Sequence, residues 1–199
     1  MAATASPYGL KAVNHLGGTP YAGSTRMYPI ASGYANNIYN GSIVSVVAAG
    51  TIVFTAAVGT AAAPFQAGTV GVFVGCTFTD PNSGNVVFRQ NWPTGTVAAD
   101  ALAYVVDDPA AIFQVQANGT VAQAGLGSNC FLVVQATGTG NLSSGNSTTA
   151  AVAATVQTAA AFKIVGFVDS PTSTVGDAFT DLLVKFNPAA HAYTNGLGI

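Results

Sequence analysis

Charged side chains are scarce in this chain. Its 199 residues include seven aspartates, no glutamate, and five lysines and arginines, so only 6% are charged. A soluble domain of this length ordinarily carries about 50 charged residues. Because charged residues cover surface that faces water, this composition predicts that much of the surface lies against other protein. It favours an assembly subunit over a free enzyme.

The scarcity of basic residues also bears on partners. Five dispersed bases and a net charge of −2 cannot neutralise a run of phosphates. We therefore expect no nucleic-acid partner. The most apolar window, 43–65, has the length of a membrane span, but Gly50-Thr51 and Gly59-Thr60 interrupt it. Its β-branched residues favour two short strands, so we expect no membrane association.

Signatures of catalysis, metal binding and export are missing as well. The sequence contains no G-x-S-x-G, C-x-x-C, H-E-x-x-H or EF-hand pattern. His15 and His191 fall in the terminal segments, and Asp107 and Asp108 are adjacent, which places their side chains on opposite faces of a strand. A calcium role for this pair stays open. We predict no catalytic residue, no cofactor and no metal, and hence no enzyme.

Cys76 and Cys130 both lie in apolar runs. Two cysteines do not make a disulfide framework, and the N-terminus lacks the basic and apolar regions of a secretion signal. We therefore predict two buried, reduced thiols in a protein that folds in the cytoplasm.

Strand-like runs separated by turn residues recur about every ten positions, which predicts an all-β sandwich or barrel, with a jelly roll as one form. Between 69 and 79, Val70, Val72, Val74, Cys76 and Phe78 recur with period two. With the turn 80–85, this run predicts a hairpin over 69–90. The predicted strands lie near 26–31, 43–48, 51–56, 69–79, 86–90, 103–107, 112–117, 130–136, 162–168 and 182–187.

Helical signals are few and short. Thr96–Tyr104 has the composition for two turns, and Ser173–Phe179 for one. The Ala-rich stretch 148–162 is helical on propensity, although Thr155, Val156 and Thr158 leave a strand open.

The chain divides into an arm and one β-rich domain. Residues 1–25 are polar and broken by Gly and Pro, which predicts an extended N-terminal arm. Residues 26–199 are expected to form a single domain, in which the Gly/Ser/Asn-rich stretch 137–149 is a flexible loop.

Several segments, in order along nearly the whole chain, resemble a family of phage proteins. Together they are similar to the head decoration, or cement, proteins of short-tailed bacteriophages, including cyanophages. The segments are PYGLKAV at 7–13, HLGGTPY at 15–21, GVFVGC at 71–76, Trp92-Pro93, AYVVDDP at 103–109, GDAF at 176–179 and VKFN at 184–187.

The resemblance implies a non-enzymatic protein on the exterior of the virion, assembled in the bacterial host cytoplasm. It implies binding to the major capsid protein and self-association, usually as a homotrimer, that stiffens the head. Alternatives stay open: a phage tail or other capsid-shell subunit, a carbohydrate-binding β-sandwich that uses Trp92 and nearby tyrosines, and an enzyme of unrecognised type.

Segment 7–28 is the candidate contact with the capsid or with neighbouring subunits. It carries aromatic and aliphatic side chains on a chain too broken by Gly and Pro to form regular structure, and its two cations could meet carboxylates on the shell. An arm that wraps its own domain is the alternative. The candidate contact residues are Tyr8, Leu10, Lys11, Val13, Leu16, Tyr21 and Arg26.

Overall fold

The computed structural model describes residues 4–55, 68–133, 138–153 and 159–196. These residues are nearly all β, which confirms the predicted fold class. Two 3-10 turns, Gln123–Gly125 and Pro188–Ala190, are the helical elements of the described chain. The strands are β1 Lys11–His15, β2 Arg26–Pro29, β3 Ile38–Tyr39, β4 Ile43–Val46, β5 Ile52–Phe54, β6 Thr69–Thr79, β7 Val86–Arg89, β8 Asn91–Trp92, β9 Leu102–Val106, β10 Ala111–Gln116, β11 Asn129–Cys130, β12 Phe162–Phe167 and β13 Asp181–Phe186.

The strands form two main sheets. The covering sheet has five strands in the order β1-β10-β13-β12-β11, all antiparallel. The curled sheet has six strands: β2-β9-β6-β4-β5, with β7 paired to the end of β6. A small sheet joins β3 and β8. Strands β6 and β7 with the turn between them are the hairpin predicted over 69–90.

A first core, the intersheet core, lies between the covering and curled sheets. The covering sheet contributes residues such as Phe113, Ile164 and Val184, and the curled sheet contributes Val72 and Val106. Burial of alternate side chains on both sheets is the usual arrangement of a β-sandwich.

A second core, the inner core, lies on the opposite face of the curled sheet. The sheet bends until Ile30, just after β2, forms a parallel bridge with Ile52 in β5, so its first and last strands meet. Val44, Phe73 and Val105 fill the space it encloses, together with other apolar side chains. Because both of its faces are buried near its centre, the curled sheet needs few charged residues.

Strand β6 serves both cores, and it does so by changing face. Val72 and Val74 pack in or against the intersheet core, whereas Val70, Cys76 and Phe78 belong to the inner core. The simple period-two pattern expected for these five residues is therefore wrong. The pairing register shifts near Gly71 and again between Phe73 and Gly75, and each such bulge moves the following side chains to the other face.

The helical predictions are wrong where the structure describes them. Within Thr96–Tyr104 the chain turns at 99–100 and then enters β9. Ser173–Phe179 forms turns, and 148–153 is extended, with a bridge at Ala151. Residues 154–158 of the Ala-rich stretch lie outside the described residues. The strand predicted at 130–136 is shorter, since only Asn129–Cys130 forms β11, and 134–137 also lie outside them.

The expectation that segment 7–28 forms no regular structure is wrong for Lys11–His15, which is an edge strand of the covering sheet. Lys11 pairs with Gln114 and His15 with Ala111, with a bulge at Val13. The chain then turns back, so that Tyr21 donates its backbone N–H to the Val13 carbonyl at 3.1 Å. This return covers part of the outer edge of β1, a common protection for exposed strand edges.

The described residues contain no helix with the length and apolar character needed to cross a membrane.

Candidate functional site

The first half of the N-terminal segment lines a pocket of about 430 Å³ that opens to solvent. Three predicted contact residues, Tyr8, Leu10 and Lys11, form one side of it. Residues from the turn after β3, from β10 and from the loop 138–149 complete the lining. We call this cavity the arm pocket; its lining residues are Tyr8, Leu10, Lys11, Asn40, Gln114 and Asn146.

A close contact between two glycines holds the arm beside the turn after β3. Gly9 and Gly41 have φ of 80° and 86°, in the left-handed region that favours glycine. A Cβ on Gly9 would lie 2.9 Å from the Gly41 carbonyl oxygen, and one on Gly41 would lie 2.9 Å from the Leu10 nitrogen. The Leu10 N–H also donates to the Gly41 carbonyl at 3.0 Å. The backbone at this wall is fixed by sterics as well as by hydrogen bonds.

The loop 138–149 is tied to the same wall. The Asn40 N–H donates to the Gly145 carbonyl at 2.9 Å, and the Ser147 N–H donates to the Asn40 carbonyl at 2.8 Å. Within the loop, the Asn141 side chain accepts hydrogen bonds from the Ser143 and Ser144 N–H groups. These bonds position Asn146 at the pocket mouth.

Tyr8 is the most constrained side chain of the arm pocket. Its hydroxyl donates to Asp181 Oδ1 at 3.0 Å, across a sequence separation of 173 residues. Burial and, next, the negative charge of Asp181 raise the pKa of Tyr8 above its ordinary value, while a hydrogen bond from Gln114 opposes them. Tyr8 therefore remains a neutral phenol at every physiological pH.

Three other polar side chains of the arm pocket, those of Asn40, Asn146 and Lys11, are uncommitted among the described residues. The side-chain amides of Asn40 and Asn146 bond to no described residue, and the exposed Lys11 ammonium has no carboxylate partner among them. Leu10 differs from the rest, because it is 2% exposed and belongs to the intersheet core. A role for Leu10 in contacting a partner is inconsistent with this burial.

The second half of the segment surrounds a close contact between a histidine and a carboxylate. His15 Nδ1 lies 3.0 Å from Asp108 Oδ2, and the His15 and Tyr21 rings are 5.7 Å apart. Val13 and Tyr21 are half-buried, whereas Leu16 is 55% exposed. Of the predicted contacts on this half, Leu16 is the most available to a partner.

Arg26, the last predicted contact residue, is already paired. Its Nε lies 2.9 Å from Asp107 Oδ2, and its guanidinium stands 5.2 Å from the centre of the Tyr193 ring. The Tyr28 hydroxyl donates to the same carboxylate at 2.9 Å and also contacts the Tyr193 hydroxyl. Burial, followed by these two hydrogen bonds, raises the pKa of Tyr28. This cluster joins the C-terminal segment to β2.

Asp107 and Asp108 serve different partners, as expected from their adjacent positions. Asp107 holds Arg26 and Tyr28, whereas Asp108 holds His15 and accepts the Ala110 N–H at 2.7 Å. Among the described residues, no group of three or more His, Cys, Asp or Glu side chains could hold a metal ion.

An apolar surface that sequence reasoning missed lies on the curled sheet. Thr77 pairs with Phe88 on one side and Leu102 on the other, and Tyr104 pairs with Met27. Directly paired residues share a face, so these side chains lie together across β7, β6, β9 and β2. We call this surface the uncovered face; its apolar members are Met27, Val86, Phe88, Leu102 and Tyr104.

The uncovered face continues the intersheet core beyond the covering sheet. Val106 of β9 is inside that core, while Leu102 and Tyr104 of the same strand face lie outside it. Val86 is 73% exposed, Phe88 61% and Met27 57%. No member of this face carries a charge. The signal in the sequence was the apolar composition of Val86–Arg89 and Leu102–Val106, but the exposure of these side chains depends on where the covering sheet ends.

Trp92 and the two cysteines are buried in the hydrophobic cores. Trp92 is fully buried in the inner core, with its ring edge-on to Phe78 at 5.3 Å, so it offers no platform for a sugar. Cys76 and Cys130 are free and buried, as predicted, and they belong to different cores. Burial raises the pKa of both thiols to about 12, which keeps them protonated and unreactive.

No protein-family model, no curated protein and no solved structure matches this chain. Its functional assignment therefore depends on its composition, its fold and its surface.

Proposed function

We propose that this protein is a non-enzymatic structural component of a bacteriophage, which decorates and stabilises the outer surface of the capsid as an oligomer. The observation that carries the proposal is the uncovered face, an uncharged apolar surface on a chain in which 6% of residues are charged. Large exposed apolar patches mark sites of association in soluble proteins.

The uncovered face is built in a way that suits a permanent interface between subunits. It is built on paired strands and continues the hydrophobic core, so its backbone is fixed before any partner arrives. Stable oligomer interfaces resemble such a divided core. We assign this face to contacts between copies of the chain, in a homotrimer that closes with no apolar surface left over.

The contact with the major capsid protein is assigned to the exposed part of segment 7–28. Leu10 is excluded by its burial, and Arg26 is engaged by Asp107. Lys11 and Leu16 are exposed on the edge strand and the turn that follows it. Edge strands with short, protected edges allow docking without open-ended aggregation.

The decisive experiment is the addition of purified protein to heads of the encoding phage that lack it. The proposal predicts saturable binding, visible as added density on the outer surface, and heads that withstand higher temperature. The variant Leu16→Asp should weaken this binding, and Leu142→Asp, at another exposed leucine on the loop 138–149, should not. Failure of the wild-type protein to bind such heads at micromolar concentration would overturn the proposal.

A further inference from the structure

We propose that the arm pocket is a binding site for an acidic carbohydrate, a sugar that carries a carboxylate. This inference does not depend on decoration of a capsid. The carbohydrate would be recognised by the residues of the arm pocket and not by Trp92, which is buried. The pocket combines fixed walls, uncommitted amides, one cation and one aromatic side chain.

The amides supply the recognition of hydroxyl groups. Each carboxamide offers donors and acceptors together, which matches hydroxyls that also do both. Asn40 and Asn146 bond to no described residue through their side chains, although their backbones are fixed to each other's segments. Binding groups that are held in position but not yet paired lose little conformational entropy when a ligand arrives.

Lys11 defines the charge of the ligand. Among the described residues it is the one charged residue that lines the arm pocket, and its ammonium has no carboxylate partner there. The neighbouring Asp181 is engaged by the Tyr8 hydroxyl. Among the described lining residues a ligand carboxylate would therefore find one cation, while Asp181, which is not on the lining, keeps its negative charge behind Tyr8.

Tyr8 supplies the apolar wall. Its hydroxyl is held by Asp181 and Gln114, so the ring has a fixed orientation. Aromatic rings present an apolar face on which the C–H groups of a sugar can pack. A volume of about 430 Å³ is within the usual range for small-ligand sites, and its solvent-open side would let a longer chain continue outwards.

The test measures binding of a tetragalacturonate to the full-length protein by calorimetry or saturation-transfer NMR, with maltotetraose as the neutral probe of equal length. We expect the acidic probe to bind and the neutral probe to bind about two- to fivefold more weakly, the range of an exposed ion pair. Lys11→Gln should produce a similar loss for the acidic probe. Asn146→Ala and Asn40→Ala should each weaken it about tenfold.

The matched control is Lys163→Gln, which removes the same charge from β12, outside the pocket lining, and should leave binding unchanged. Circular dichroism and thermal unfolding verify that each variant is folded, and Asn146 is exposed enough for its variant to be a safe choice. Equal affinity for both probes, no binding at millimolar concentration, or binding that survives all three pocket substitutions would overturn the proposal. None of these outcomes affects the decoration of heads by the wild-type protein.

Discussion

At the scale of single residues, His191 is unusual because a titratable side chain is buried there. It is fully buried between Phe186 and Tyr193, at ring distances of 5.3 and 5.5 Å. Its Nδ1 accepts the Tyr193 N–H at 3.2 Å, and no described residue lies in hydrogen-bond geometry with its Nε2. Burial lowers its pKa below the ordinary 6.5, against the opposing charge of Asp107.

This burial predicts a loss of stability in mild acid. Because the folded-state pKa is lowered, the unfolded chain binds the proton first, so the free energy of unfolding falls as pH drops below 6.5 and levels off below the folded-state pKa. The slope should not exceed about 1.4 kcal/mol per pH unit. Urea unfolding between about pH 7.5 and pH 5 measures it, above the range where aspartates titrate.

The variant His191→Gln should flatten that slope. If the wild-type slope persists in His191→Gln, a different group is responsible and the interpretation of His191 is wrong.

Gly71 gives a second prediction at this scale. A Cβ there would lie 2.0 Å from the Val106 carbonyl oxygen, a backbone atom that cannot move without disturbing β9. Gly71→Ala should therefore lower the free energy of unfolding by at least about 2 kcal/mol. Gly17→Ala, where nothing lies within 4 Å, should change it by less than about 0.5 kcal/mol. Equal stability of the two variants in urea would contradict the geometry.

At the scale of elements, the sequence predicts strands with strong local patterns and misses those that depend on distant pairing. β6 and β7 were predictable because a turn joins them. β1 was not, because its partner β10 lies about a hundred residues further along. The helix expected at Thr96–Tyr104 fails for the same reason: Asp100 accepts the Thr79 N–H and hydroxyl, and the strand pairing of β9 overrides local propensity.

Two leucines of the arm, one buried and one exposed, allow its buried part and its exposed part to be tested separately. Leu10→Ala should lower the free energy of unfolding by about 2–5 kcal/mol, since it removes a buried side chain from the intersheet core. Leu16→Ala, at a residue 55% exposed, should cost less than about 0.5 kcal/mol. A Leu10→Ala variant as stable as the wild type in chemical unfolding would show that the arm is not part of the core.

At the scale of the whole molecule, the scarcity of charge has a structural counterpart. The curled sheet is buried on both faces near its centre, and where the covering sheet ends its apolar face continues into solvent. Composition alone predicted that much surface meets other protein. It did not locate that surface, because the position of the uncovered face depends on the relative lengths and registers of β2, β6, β7 and β9.

The uncovered face therefore carries the last prediction, which concerns oligomeric state. A charge placed among apolar side chains is costly to bury unless it is paired. Val86→Glu, at a side chain that is already 73% exposed, should leave the fold intact but dissociate the proposed trimer. Leu142→Glu, at a residue 68% exposed on the loop 138–149, is the matched control and should remain trimeric.

Sedimentation velocity and native mass spectrometry at micromolar concentration distinguish the two variants. A wild-type protein that is monomeric under these conditions would remove the basis for assigning the uncovered face to self-association. A Val86→Glu protein that stays trimeric would move the interface elsewhere, because an unpaired carboxylate in a dry interface costs several kcal/mol. Dissociation of Val86→Glu alone would place the subunit contact on β7, at the point where the sandwich leaves its own core exposed.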